Sequence, residues 1–304
     1  MVIPMLTISR WPHAGLLLVL CLLIPAMLTA ADKLEAAADQ KGQDIIFLPA
    51  VAGKTPEAFL QSLEQYKPIY VLSSWLLNGE GSDQGYLDQE LLLHVSFKRR
   101  IFWNLFFAYS HKAVWQIYDH ESSRPFREHN YNPELFLEWN RLEWIDDLRL
   151  GLIEHESNGE KLRYADDGSP VNQSRTWNRV YVFGQTSLTP AINLGLKLWV
   201  VTDSDDPEEG SFIVDNSDIQ DYMGSGELYF NLGTYPRQLS IMVRNGWKRD
   251  TETIRVDARM PLHLLTGLTD RGLDVVIQLF SGYGDTLIDY NRKVTRFSAG
   301  LAFR

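Results

Sequence analysis

Three side chains near the middle of the sequence are of the types that cleave esters: His155 and Ser157 in His155-Glu156-Ser157-Asn158-Gly159, and Asn178 in Ser174-Arg175-Thr176-Trp177-Asn178-Arg179. A hydroxyl is a poor nucleophile at neutral pH. It needs a base within hydrogen-bond reach, and the base needs a third group to fix its tautomer. On an extended strand, residues two apart share a face, so His155 and Ser157 can meet while Glu156 points away. A His-x-Ser pair also arises by chance on strands, and taken alone it is more often structural than catalytic. Its weight depends on the elements that hold it.

Those elements read as strands. Leu91, Leu93, Val95 and Phe97 alternate with Glu90, His94, Ser96 and Lys98, and Ile192, Leu194, Leu196, Leu198 and Val200 alternate with Asn193, Gly195, Lys197 and Trp199. Leu239, Ile241 and Val243 repeat the pattern, as do Leu273, Val275, Ile277 and Leu279. This is the period of two of a strand with unlike faces. Segments starting near Pro68, Gln89, Asn104, Glu134, Ile145, Thr176, Ala191, Glu227, Gln238, Ile254, Leu273 and Val294 have the length of roughly ten residues that crosses a bilayer. Short connections (98–104, 140–144, 187–190 and 233–237) alternate with long polar ones (78–88, 119–133, 156–175 and 202–226). The pattern predicts an all-β fold, a twelve-stranded antiparallel transmembrane β-barrel, with the His155–Ser157 segment at the outer end of the fifth strand.

Parity makes one further demand. Leu148, Leu150 and Leu152 fit a lipid-facing row, which turns His155 and Ser157 inward unless an extra residue intervenes. A β-bulge near Ile153 or Glu154 would return both to the lipid face, and bulges gather where a side chain must be re-aimed.

The N-terminus fixes the compartment. Arg10 and His13 precede the apolar run Gly15–Ile24, and Leu28-Thr29-Ala30-Ala31 follows, the pattern of a secretory signal peptide cut after Ala30. Residues 31–67 then form a periplasmic extension and 68–304 the barrel. The single cysteine, Cys21, lies in the leader, so the mature chain has no thiol chemistry. A net charge of -10 argues against a nucleic-acid partner. Asp203-Ser204-Asp205-Asp206-Pro207-Glu208-Glu209 lacks the glycine of an EF-hand loop and reads as a solvated surface loop. Trp103, Trp115, Trp139 and Trp144 suit an interfacial girdle.

Together these blocks resemble the outer membrane phospholipase A family, calcium-dependent lipolytic barrels of Gram-negative bacteria. The resemblance rests on the two segments above, on Ser122-Ser123-Arg124-Pro125-Phe126-Arg127-Glu128 with Asn130-Tyr131, and on Phe280-Ser281-Gly282-Tyr283-Gly284-Asp285, and it runs from about Tyr66 onward. It implies an outer-membrane phospholipase with A1, A2 and lysophospholipase activity, with Ser157 as nucleophile, His155 as base and Asn178 as its orienter. It further implies an oxyanion donor at Gly159 and a Ca2+ site drawing on Ser174, the Glu160 carbonyl and Ser122 of a second subunit. Beside the inserted Arg124, Ser123 is the other choice for that last ligand. Phospholipid and membrane lipid are the implied partners, with a homodimer as the active form and Gln116 at its interface. A barrel of the same ancestry without catalysis is the alternative.

Overall fold

The computed structural model describes residues 63–78, 86–160, 163–164, 168, 170–202, 216–234, 237–267 and 272–303. The leader, most of the extension and the acidic loop 203–209 lie outside them. Twelve antiparallel strands form the sheet: β1 (Ile69–Asn78), β2 (Gln89–Phe102), β3 (Leu105–Trp115), β4 (Phe126–Asn140), β5 (Asp147–Ser157), β6 (Thr176–Thr189), β7 (Ile192–Val201), β8 (Gly226–Leu232), β9 (Gln238–Asn245), β10 (Glu252–Pro261), β11 (Leu273–Gly282) and β12 (Val294–Phe303). Each pairs with its sequence neighbours, and β12 pairs with β1 from Phe303↔Ile69 to Thr295↔Asn78, which closes the barrel. Closure leaves no edge, the condition for a sheet that meets hydrocarbon.

The two faces invert the distribution of a soluble protein. Leu77, Val95, Leu196, Leu228, Phe230, Ile254, Ile277, Leu279 and Leu301 are exposed, whereas Glu90, Glu134, Glu154, Asp274 and Arg296 are fully buried. The apolar rows therefore face lipid and the charges face the lumen. Trp103 and Trp144 protrude at the short-turn end, where Trp103 packs edge-on against Trp139 at 6.3 Å. Trp115 instead stacks on Phe126 at the opposite end.

The lumen is packed with ion pairs. Glu90 receives Arg127 at 2.5 Å and Arg296 at 2.6 Å, while Arg127 also holds Asp289 at 2.6 Å. Burial pushes the carboxyl of Asp285, in the β11–β12 loop, upward, but Arg296, Lys112 and Arg127 more than reverse this and hold it below the usual carboxylate range. A polar cavity of about 270 Å³ lies among these groups. At the short-turn end, Glu64–Gln65 pairs with Lys98–Phe97, and Lys67 enters the lumen to bind Glu134 at 2.6 Å and Asn132 at 2.8 Å. Residues 64–67 are thus part of the barrel.

One strand starts earlier than the alternation predicts. β4 begins at Phe126, so the loop after β3 ends at Pro125 and Phe126–Pro133 belongs to the sheet. Pro133 hides this stretch, because it brings no N–H to the ladder. Register sets Pro133 opposite His155, and the Asn132 side-chain amide donates to the His155 carbonyl at 2.9 Å in its place.

The bulge is present. Gly151 pairs with Phe136 and Ile153 with Leu135, so Leu152 is extra against β4, and the register against β6 shifts between Gly151 and Glu154. Leu152 and Ile153 are both exposed, consecutive residues on the lipid face. After them His155 and Ser157 point outward, and Glu154 and Glu156 inward. Gly151 sets up this kink: a Cβ there would lie 2.2 Å from the Tyr181 ring. Gly151→Val is expected to destabilise the barrel by about 1–3 kcal/mol through overpacking, checked as a lower denaturant midpoint in refolding monitored by heat-modifiable gel mobility.

Candidate active site

Strands β5 and β6 build the site. His155 lies directly across from Asn178, flanked by the pairs Glu154↔Arg179 and Glu156↔Trp177. On the outer face, His155 Nδ1 meets Asn178 Oδ1 at 2.8 Å and His155 Nε2 meets Ser157 Oγ at 3.0 Å. An amide oxygen can only accept, so the Nδ1 contact requires a protonated Nδ1. That leaves Nε2 as the acceptor for the serine proton. The geometry is that of a nucleophile, a base and its orienter in a continuous chain of hydrogen bonds.

The lumen side holds this pair rigid. Arg179 binds Glu154 and Glu156, each at 3.0 Å, and lies over the Trp177 ring at 3.7 Å. Trp177 donates its indole N–H to Glu156 at 3.0 Å, and Lys197 binds Glu154 at 2.8 Å. Glu156 therefore points away from its two neighbours, as strand parity predicts, and ties β5 to β6. Beyond the strand, Asn216 is bonded twice to the backbone of Thr176, at 3.2 and 2.9 Å.

Sequence analysis gives no sign of how the long segment after Gly159 returns to Ser174. The answer is Asn158, which is buried. Its amide donates to the Gln173 carbonyl at 2.7 Å, and its oxygen accepts from Arg175 N at 2.9 Å and Glu160 N at 3.2 Å. Gly159 and Glu160 are thereby fixed against Ser174. Gly159 has φ +65, a left-handed conformation that favours glycine, and packs against Tyr131, whose ring lies 3.2 Å from the place of a Cβ. Tyr131 itself is the cross-strand partner of Ser157 on β4. Asn158 and Tyr131 both lie in the blocks that carry the family resemblance, but the sequence assigns neither a role, since one is a loop amide and the other a single aromatic residue among many.

Ser122 sits apart from the other named residues, in the β3–β4 turn, where its N–H donates to Asp119 Oδ1 at 2.9 Å. That bond, with a second from the serine hydroxyl, holds the exposed Asp119 carboxyl below its usual range. Ser123 and Arg124 follow with positive φ, 62 and 53. Gln116 does not reach the outer surface. It is fully buried, with its amide bonded to Glu90 at 2.8 Å and to the Leu87 backbone, so it has no face to offer a partner subunit.

The hydroxyl of Ser174 and the carbonyl of Glu160 are hard oxygens of the kind calcium takes, and the Asn158 staple brings their segments together. Among the described residues no group of three His, Cys, Asp or Glu side chains converges on one point. Asn158→Ala removes three hydrogen bonds from this arrangement. It is expected to loosen 158–160 and 172–175 by about 1–3 kcal/mol, seen as faster amide hydrogen exchange confined to those residues.

Comparison with known proteins agrees with the fold. The Phospholipase A1 family model matches residues 57–303. A putative phospholipase A1 of Neisseria meningitidis is 28% identical over 279 residues, covering 80% of this chain and 66% of the relative. Phospholipase A1 of Escherichia coli is 30% identical over 199 residues, covering 64% and 60%. The chain thus spans about 60–66% of the length of the curated relatives it matches. Outer membrane phospholipase A from Escherichia coli superposes with a TM-score of 0.65 at 25% identity, over 80% of this chain and 98% of that one. A Salmonella typhi outer membrane phospholipase, solved as a dimer with bound calcium, gives 0.65 at 25% identity over 80% and 92%. The chain belongs to the phospholipase A1 family, as a twelve-stranded barrel of the Gram-negative outer membrane.

Proposed function

We propose that this barrel is an outer-membrane phospholipase that hydrolyses the acyl esters of glycerophospholipids and lysophospholipids, at either acyl position, from the outer leaflet. The observation that carries the proposal is the orientation of the Asn178–His155–Ser157 chain, which faces lipid rather than the lumen. An ester in the membrane reaches it without entering the barrel.

In this mechanism Ser157 Oγ attacks the ester carbonyl carbon and passes its proton to His155 Nε2. Asn178 holds the Nδ1 proton throughout, so the imidazole cannot rotate or change tautomer. The oxygen that becomes negative takes the backbone N–H at Gly159. When the tetrahedral centre collapses, the glycerol oxygen leaves with the proton from His155, and Ser157 stays acylated. Water then attacks the acyl carbon with His155 again as base, releasing the fatty acid and restoring Ser157. Asparagine cannot offset the charge on the imidazolium, so further electrostatic help is needed at the oxyanion. Calcium, held by Ser174, the Glu160 carbonyl and Ser122 of a second subunit, with Ser123 as the other choice, supplies positive charge there when bound. This makes the homodimer the active form. Residues 1–30 then serve as the export signal, and 31–63 as a periplasmic extension.

The test is hydrolysis of a phospholipid in mixed micelles by refolded residues 31–304, with calcium and with chelator. Activity is expected with calcium alone. Ser157→Ala should abolish it while the protein keeps its heat-modifiable mobility, and Asn178→Ala should lower kcat on the order of 10²-fold. Full turnover by folded Ser157→Ala would end the nucleophile assignment. Inactive barrel dimers with calcium would instead support a non-catalytic barrel of the same ancestry.

A further inference from the structure

The outer end of β6 lacks the strand that supports the rest of it. β7 ends at Val201, opposite Arg179, and past it the Thr202 N–H donates to the Asn178 carbonyl at 2.9 Å. In an antiparallel ladder, residues two apart turn their N–H and C=O groups to the same neighbour. Thr176 therefore also faces the β7 side, where among the described residues no strand continues. Its two backbone groups are taken instead by the Asn216 side chain, whose oxygen accepts from Thr176 N at 3.2 Å and whose amide donates to Thr176 O at 2.9 Å. One carboxamide thus reproduces the paired bonds of a strand residue.

Asn216 is itself held in place. It is buried, and its backbone carbonyl accepts from Ile219 N at 3.0 Å, where the short helix α1 (Ile219–Met223) begins. Two residues on, the Asp218 carboxylate accepts from the hydroxyl of Tyr290, which belongs to the β11–β12 loop. Tyr290 is buried too, stands edge-on to Tyr222 at 5.8 Å and has the Arg175 guanidinium 5.9 Å from its ring. Ile219, Met223, Leu287 and Tyr290 share one buried cluster with Trp177, the residue between Thr176 and Asn178. The residue before Tyr290, Asp289, is the one that Arg127 binds.

We propose that Asn216 is a positioning residue for Asn178: it holds the end of β6 so that the Asn178 oxygen stays on His155 Nδ1, and the Tyr290–Asp218 bond holds Asn216 in turn. The catalytic part of this rests on the phospholipase reading above. Without the two Asn216 bonds, the last residues of β6 are laddered to β5 on one side only, and a strand end held on one side frays. Asn178 lies two residues from that end, and a misplacement of about 1 Å in such a chain lowers turnover by an order of magnitude or more. Substrate contacts are untouched, so the loss falls on kcat and leaves KM as it is.

Two readouts on the refolded protein test this: turnover of phospholipid in mixed micelles at saturating calcium, and exchange of the His155 Nδ1 proton with water, followed by its NMR resonance. Asn216→Ala should lower kcat about tenfold at unchanged KM and speed the exchange. In an Asn178→Ala background the same substitution should cost less than about twofold, because the residue it acts through is gone. Tyr290→Phe should show the same pattern more weakly. Asp218→Asn, which still accepts from the Tyr290 hydroxyl, should keep the turnover that Asp218→Ala loses. Heat-modifiable mobility confirms that each variant is folded; if Asn216→Ala is not, the Tyr290 and Asp218 variants carry the same test. An equal loss in both backgrounds would make Asn216 merely structural and overturn the proposal, as would an Asn216→Ala protein with wild-type kcat and exchange. Were even the wild type inactive, the phospholipase reading would fail, and the exchange of the Nδ1 proton would decide the positioning role by itself.

Discussion

A strand in a membrane barrel must give one face to lipid and the other to a polar interior, and a single extra residue decides which side chains go where. The bulge at Leu152–Ile153 is that residue for the whole site. Without it His155 and Ser157 would join Glu134 and Arg179 in the lumen, and Glu154 and Glu156 would face hydrocarbon at a cost of several kcal/mol each. The site's outward aspect, its closeness to Tyr131 and the clustering of carboxylates inside all follow from this register change. Gly151, shaped to receive Tyr181, is its local enabling feature.

The interior then acts as the rigid back of the site. Arg179 ties Glu154 to Glu156 on either side of His155, and its own neighbour in sequence is Asn178. Any change that moves the imidazole relative to its orienter must therefore disturb a buried, doubly paired guanidinium, where losing one partner is strongly unfavourable. Loops complete the arrangement with fewer bonds. Asn158 fastens the Gly159 turn to the Ser174 segment, and a short ladder pairs Arg163–Tyr164 with Pro170–Val171 within the same loop.

Much of this was legible in the residues. Alternation located eleven strand starts within about two residues, because lipid-facing rows such as Leu273–Leu279 are uninterrupted. The parity conflict between Leu152 and His155 pointed to the bulge. The alternation starts β4 late because its outer half carries Phe126, His129, Tyr131 and Pro133 outward and polar side chains inward, so no apolar row announces it. The lumen network was hidden for a different reason: Arg296 meets Glu90 across 206 positions, and only barrel closure brings them together. Gln116 is set at a subunit interface by the family resemblance alone, with a lumen-facing glutamine as the alternative; its burial and its bond to Glu90 turn it to the lumen. The staple by Asn158 depends on the return path of a loop, which no local pattern encodes.

The lumen network has a consequence for the seam of the barrel rather than for the reaction. Arg127, Arg296, Glu90, Asp285 and Lys112 join β12, β2, β3 and β4 across the strand pair where the two ends of the sheet meet, with Ser74 of β1 bonded to Arg296 between them. The first and last strands are thus fastened by buried charges as well as by their backbone ladder, so the chain's two ends are locked together by contacts that form only once the circle is complete.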